Sequence, residues 1–222
     1  MLFVVQPSLF GSLGELGVAE LGAAVERRPL SDGAWVDLRP AFITAADELF
    51  DVLARVVPWH EDRMHIYDRT VAVPRLLAGY HQGEPLPHPV LDEARSALNA
   101  HYAKELGEPF VSAGLSLYRD GRDSVAWHGD RIARDSSRDT MVAIVSLGAT
   151  RSFGLRPRSG GPGLRLSVGH GDLLVMGGSC QRTWLHSIPK VTGRLGARIS
   201  IQFRPDWGSN LGKAIADGRD RQ

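Results

Sequence analysis

Cysteine and lysine are scarce in this chain of 222 residues: Cys180 stands alone, and Lys104, Lys190 and Lys213 are the three lysines. One cysteine cannot close an intrachain disulfide and cannot build a cysteine-rich zinc site. A reducing, cytoplasmic setting is therefore expected. Long apolar runs are missing too. Runs such as Met1–Val5 and Leu173–Met176 are far below the roughly 18 residues of a membrane helix. The opening MLFVVQPSLF lacks a basic region and a small-residue cleavage site, so neither a secretory leader nor a membrane partner is expected. No internal repeat or low-complexity tract appears, which excludes solenoids and arrays. An excess of basic charge is also absent: 26 basic residues face 25 acidic ones, a net of +1. Any contact with nucleic acid must then rest on a local patch.

What is present suits one globular domain over residues 1–222, monomeric by default. The apolar fraction is 43% and the charged fraction 23%, and a chain of this length buries roughly 70% of its unfolded surface without a staple. The first half reads as helical. Gly11, Gly14, Gly17 and Gly22 punctuate the start, with a short helix expected near Val18–Arg27. Thr44 and Asp47 have capping-box spacing, and Leu49, Val52, Leu53, Val56 and Val57 follow at helical intervals until Pro58. A second helix is expected from Pro89 to about Gly107. Between them, Trp59–Pro89 shows no clear period, the mark of a lid or binding segment. After Gly107 the period becomes two: Val111, Ala113, Leu115 and Leu117 alternate with polar or small residues. Strands are then expected at Val125–His128, Met141–Leu147, Arg151–Arg156, Leu164–Val168, Asp172–Met176, Thr183–Ser187 and Ala197–Phe203. Many short strands at this spacing predict a sandwich, barrel or jelly roll.

Two tripeptides bear the same pattern, His128-Gly129-Asp130 and His170-Gly171-Asp172. In a strand, residues i and i+2 share a face. A His and an Asp so related can hold one metal ion, and a second His completes a facial triad with open positions. That His must return after several strands. His186 lies 58 residues beyond His128 but only 16 beyond His170, which favours His128, Asp130 and His186. His170 and Asp172 read as the turn opening the next strand. In Arg198–Arg204, strict alternation puts Arg198, Ser200, Gln202 and Arg204 on one face. Two arginines on a half-buried face need anions, and a small dicarboxylate or ketoacid would satisfy them.

These motifs resemble the AlkB-like Fe(II)- and 2-oxoglutarate-dependent dioxygenases. The order carries the resemblance: Tyr118-x-Asp120-Gly121, His128-x-Asp130, Gly171-Asp172, Met176-Gly177-Gly178, Arg182 before His186, then Arg198 and Arg204. It covers about Ser112–Pro205, and Trp59–Gly83 more loosely. It implies an α+β fold: a double-stranded β-helix (jelly-roll) core over 111–206, helical support and substrate lid over 1–110, and a tail at 207–222. It implies that His128, Asp130 and His186 hold Fe(II). Arg198 would pair with the distal carboxylate of 2-oxoglutarate, Tyr118 would hydrogen-bond to it, and Arg204 would lie near the metal end. Ser116 and Ser200 stand where the family often has Asn, Ile132 where repair members carry an acidic residue facing the base, and Met176 where an aromatic is expected. The implied reaction consumes O2 and 2-oxoglutarate and removes alkyl groups from nucleic-acid bases.

On the substrate side, Trp59–Gly83 contains Trp59, His60, Arg63, His65, Tyr67, Arg69, Arg75, Tyr80 and His81. Aromatics stack on an extruded base and Arg holds phosphate. Trp59, Arg75, Tyr80, Arg131 and Ile132 are the expected substrate contacts. Trp127 and Trp184 read as packing residues. Two alternatives stay open: the same oxygenase chemistry on a protein or small molecule, and a nucleic-acid-binding module with an idle metal site.

Overall fold

Side-chain alternation decides where the β half packs. In β7 (Ser112–Tyr118) and β14 (Arg198–Arg204) every residue is buried, but the two faces differ. Ala113, Leu115, Leu117, Ile199, Ile201 and Phe203 join one apolar core with Leu49, Phe50, Leu53, Leu91 and Leu98 from the helices. Ser116, Tyr118, Arg198, Ser200, Gln202 and Arg204 line a pocket on the other side. The computed structural model describes residues 14–66, 69–130 and 138–205. Tyr67, Arg131, Ile132 and the tail lie outside them.

The remaining strands of the β half are β8 (Val125–His128), β9 (Val142–Gly148), β10 (Arg151–Pro157), β11 (Leu164–Val168), β12 (Leu173–Gly178) and β13 (Trp184–Ile188). They divide between two antiparallel sheets. One contains β12-β9-β14-β7 in that order, the other β11-β10-β13-β8. Consecutive strands alternate between sheets except at the β10–β11 hairpin, which is the winding of a double-stranded β-helix. Ile144, Leu174 and Met176 from the first sheet meet Phe153, Leu155, Leu166 and Trp184 from the second in a separate core. The jelly-roll expectation holds, with strand ends displaced by one residue in several cases.

The N-terminal half contributes more sheet than its sequence suggested. Strands β2 (Glu26–Pro29) and β3 (Ala34–Arg39) extend the large sheet beyond β12, and β5 (His60–Ile66) and β6 (Arg69–Tyr80) extend it beyond β7 to eight strands. The expected helix at Val18–Arg27 is absent. That stretch forms the short strand β1 (Gly17–Val18), paired with β4 (Ile43–Thr44), then a single 3-10 turn and β2. Arg27 explains part of the change: it makes a bidentate ion pair with buried Asp37 on neighbouring β3 at 2.8 Å. Cross-strand pairing overrides weak helical spacing. Trp59–Pro89 is mostly the β5–β6 hairpin rather than an aperiodic loop. Its register slips between Glu61 and Arg63, which erases the alternation a strand would show in sequence.

Helix α1 (Ala46–Val56) forms as expected but without the capping box. Thr44 Oγ1 donates to the Glu15 carbonyl at 2.8 Å, and Ala45 enters the helix with φ of 43°. Helix α2 (Pro89–His101) stops six residues before Gly107. Glu105 and Leu106 N–H groups both donate to the Tyr102 carbonyl, closing the end in tight turns. Tyr102 then donates to Asp37 at 3.0 Å, tying α2 to the Arg27–Asp37 pair. The one-turn helix α3 (Cys180–Thr183) leads into β13. No helix among the described residues is long and apolar enough to cross a membrane.

Candidate metal and ketoacid site

His128 ends β8 and His186 lies within β13, and the two are a register pair of adjacent strands. Asp130 follows two residues past His128, at the mouth of the same sheet. The ligand atoms of His128, Asp130 and His186 lie within 4.8 Å of one another. Asp130 Oδ1 is 3.6 Å from His128 Nε2 and 4.0 Å from His186 Nε2. His128 Nδ1 is 2.8 Å from the Ala126 carbonyl. A carbonyl only accepts, so Nδ1 carries the proton and Nε2 keeps its lone pair for a metal. Phe153 stacks on His186 at 5.5 Å and fixes its plane.

The electrostatics suit metal binding. Burial depresses both imidazoles, with that of His186 near 3, so both are neutral donors at neutral pH. Burial alone would raise the Asp130 carboxyl, but Arg204 and the two imidazoles outweigh it and hold it well below the usual range. Arg204 donates to Asp130 Oδ2 through Nη2 at 3.0 Å and Nε at 3.3 Å. One Asp130 oxygen thus faces the imidazoles while the other is held by an arginine.

Behind this triad lies a second polar group. Arg198 is 1% exposed, and burial lowers its guanidinium to about 10, with Tyr118 opposing. Its Nε donates to Ser146 Oγ at 2.8 Å. Its Nη1 is buried with no hydrogen-bond partner among the described residues. A buried, unpartnered cationic N–H is costly, and a carboxylate oxygen would satisfy it. Tyr118 stands opposite Arg198 in register, and Ser116 opposite Ser200. Two imidazoles, one carboxylate and this orphaned arginine in one pocket fit Fe(II) and a ketoacid.

The description 2OG-Fe(II) oxygenase superfamily matches residues 43–204. The chain belongs to this superfamily. By that description its members are 2-oxoglutarate- and Fe(II)-dependent oxygenases, and the relatives the chain is similar to include alkB homologues. It is 34% identical over 191 residues to alpha-ketoglutarate-dependent dioxygenase alkB homolog 3 of Bos taurus, covering 76% of this chain and 65% of the relative. It is 29% identical over 182 residues to the DNA oxidative demethylase ALKBH2 of Homo sapiens, covering 72% and 68%. The chain spans just under two thirds of the alkB homolog 3 relatives. Among solved structures, OsALKBH1 aligns with a TM-score of 0.56 at 13% identity over 81% of this chain and 100% of that one. A 2OG-Fe(II) oxygenase family protein of Burkholderia pseudomallei aligns with a TM-score of 0.53 at 14% identity, over 77% and 84%. These two likenesses bear on the fold alone.

The expected residues divide among several locations. His128, Asp130, His186, Tyr118, Arg198, Arg204, Ser116 and Ser200 converge in one pocket. Arg75 does so as well. It lies not on the surface of a lid but in the pocket wall, 7% exposed, donating through Nη1 to the Ser124 carbonyl at 3.4 Å. Trp59 and Tyr80 are half-buried and pack against the helix-side core. Trp127 lies against Gly154 under Arg156, at 4.5 Å, and Trp184 donates to the Ser31 carbonyl; both are packing residues. His170 and Asp172 build the turn before β12: Gly148 N–H donates to His170 Nδ1, and Gly169 N–H to Asp172 Oδ2, both at 2.7 Å. The reading from sequence missed Ser146, Phe153 and the depth of Arg75. Ser146 was the findable one, a lone hydroxyl in the apolar run of β9.

Proposed function

We propose that this protein oxidatively removes alkyl groups from N-alkylated nucleic-acid bases, using Fe(II), O2 and 2-oxoglutarate. His128, Asp130 and His186 would hold the iron. When bound, iron and 2-oxoglutarate supply an oxidation in which the ketoacid loses carbon dioxide to become succinate and one oxygen atom enters an N-alkyl C–H bond. The hydroxylated carbon then leaves as an aldehyde, its hydroxyl proton is released, and the ring nitrogen recovers its lone pair. The protein's own part is orientation and electrostatics. Arg198 and the Tyr118 hydroxyl receive the distal carboxylate, Arg204 fixes the Asp130 carboxylate, and the depressed imidazoles stay unprotonated. The pocket is otherwise lined by Val125, Ile144, Phe153 and Ile188, which exclude water.

The observation that carries the reading is the triad sharing one pocket with a buried arginine whose Nη1 awaits a partner. The nucleic-acid substrate draws support from the relatives' names and from charge. Residues 140–205 hold nine basic residues and one acidic residue, a net of +8, whereas residues 1–139 hold fourteen and twenty-one, a net of −7. Arg156, Arg165, Arg182, Lys190 and Arg194 of the basic half are exposed, a basic excess along the sequence that the near-zero total conceals. Single-stranded DNA or RNA is the proposed form, since an extruded base must enter the pocket. The proposed setting is cytoplasmic, consistent with the buried free thiol of Cys180, and the chain is proposed to act as one monomeric domain.

The test is mass spectrometry of oligonucleotides carrying 1-methyladenine or 3-methylcytosine, incubated with protein, Fe(II) and 2-oxoglutarate. Loss of one methyl per succinate formed is expected. Succinate without demethylation would move the substrate to a protein or small molecule. Binding without succinate would leave a nucleic-acid-binding module.

A further inference from the structure

Gln202 lies on the pocket face of β14, between Ser200 and Arg204, and is 8% exposed. Its Nε2 sits 3.1 Å from the Ser200 carbonyl oxygen and 2.6 Å from Ser200 Oγ. A carbonyl oxygen only accepts, so the amide must present its NH2 group to Ser200; the flipped amide would oppose two acceptors. One amide hydrogen then goes to the carbonyl and the other to Oγ. A serine hydroxyl has one hydrogen and two lone pairs. With a lone pair engaged by Gln202, the Ser200 hydrogen points elsewhere, and no acceptor among the described residues receives it.

The neighbours of Ser200 repeat the arrangement. Its register partners are Ser116 on β7 and Ser146 on β9, so three buried serines form a row across three strands. Ser146 Oγ accepts from Arg198 Nε, which likewise turns its own hydrogen away from the cation. The pocket floor around Arg198 is thereby biased toward donors.

We infer that Gln202 is a positioning residue that orients the Ser200 hydroxyl as a hydrogen-bond donor toward an anionic oxygen of 2-oxoglutarate. This rests on the reading of the pocket as a 2-oxoglutarate site. Serine alone is short and free to rotate. The glutamine amide fills the space beside it and selects one hydroxyl direction, so the two residues act as a unit.

The test is calorimetric titration of 2-oxoglutarate into Mn(II)-loaded protein, without substrate or turnover. Ser200→Ala is expected to weaken binding about tenfold, as for a hydrogen bond to a charged group, and Gln202→Met about fivefold. The double variant should bind no more weakly than Ser200→Ala, because both changes remove the same aimed donor. Mn(II) affinity, measured separately, should stay within about twofold, which separates positioning from general damage to the site. Equal binding by wild type and Gln202→Met overturns the inference, as does a double variant that loses the product of the two single effects. If Gln202→Met lacks a cooperative thermal transition, the near-isosteric Gln202→Glu replaces it. Glutamate would accept the Ser200 hydrogen, so its penalty should shrink at least threefold in the Ser200→Ala background; an unchanged penalty overturns the inference. If the wild type itself fails to bind 2-oxoglutarate, the ketoacid reading falls, and this inference with it.

Discussion

Arg198 shows how function can oppose stability at one residue. Its guanidinium is buried with Nη1 unpartnered among the described residues, a cost recovered only when an anion arrives. Arg198→Met should therefore raise the thermal midpoint of the metal-free protein while raising the 2-oxoglutarate KM by at least about tenfold. A lowered midpoint together with an unchanged KM would refute the anchor. His128→Ala and Asp130→Ala should abolish succinate formation and metal binding while the far-ultraviolet spectrum persists, since both side chains lie at a strand end rather than in either core. Cys180 makes the opposite case, a residue without chemistry. It is buried beside Asp130, and burial pushes its thiol up to about 12. In the native protein at pH 8 it should resist iodoacetamide, and mass spectrometry after denaturation should show it alkylated only then.

Among the elements, β12 joins the added N-terminal strands to the jelly roll, pairing β3 on one side and β9 on the other. Gly177 makes this contact possible. A Cβ there would sit 2.2–2.6 Å from ring atoms of Trp35 on β3. The ring is held by Arg27 at 3.7 Å and by Tyr102 stacked at 6.0 Å, so it cannot withdraw. Gly177→Ala should cost about 1–3 kcal/mol, read as a lower urea midpoint with unchanged slope. The same strands show what a linear pattern can carry. The strand pattern of β7 and β14 was legible because one face is apolar and the other polar. The β5–β6 hairpin was not, because a register slip breaks its alternation. The missing helix at Val18–Arg27 reflects Arg27 reaching across to Asp37, a partner no local window contains.

Over the whole molecule, the chain's +1 charge divides into a basic C-terminal half and an acidic N-terminal half. Binding to a single-stranded oligonucleotide should accordingly depend strongly on salt despite the neutral total. A slope of log Kobs against log salt near −2 is expected if about three phosphates are contacted, at roughly −0.7 each. A flat salt response would remove the electrostatic support for nucleic acid.

Residue order and spacing by themselves pointed to the grouping of His128, Asp130 and His186, to the two arginines sharing one face of β14 and to a sandwich, barrel or jelly roll, and the family resemblance they carry narrowed the last to a jelly roll. Each depends on period-two alternation and on separations that constrain which strands can meet. Tertiary structure alone decided that Arg75 lies in the pocket rather than on a lid, that Trp59 and Tyr80 pack against the helix-side core, and that Ser146, Ser200 and Gln202 share one floor. Those outcomes depend on which strands become neighbours and in what register, and that choice is made by burial summed over both sheets rather than by any stretch of sequence.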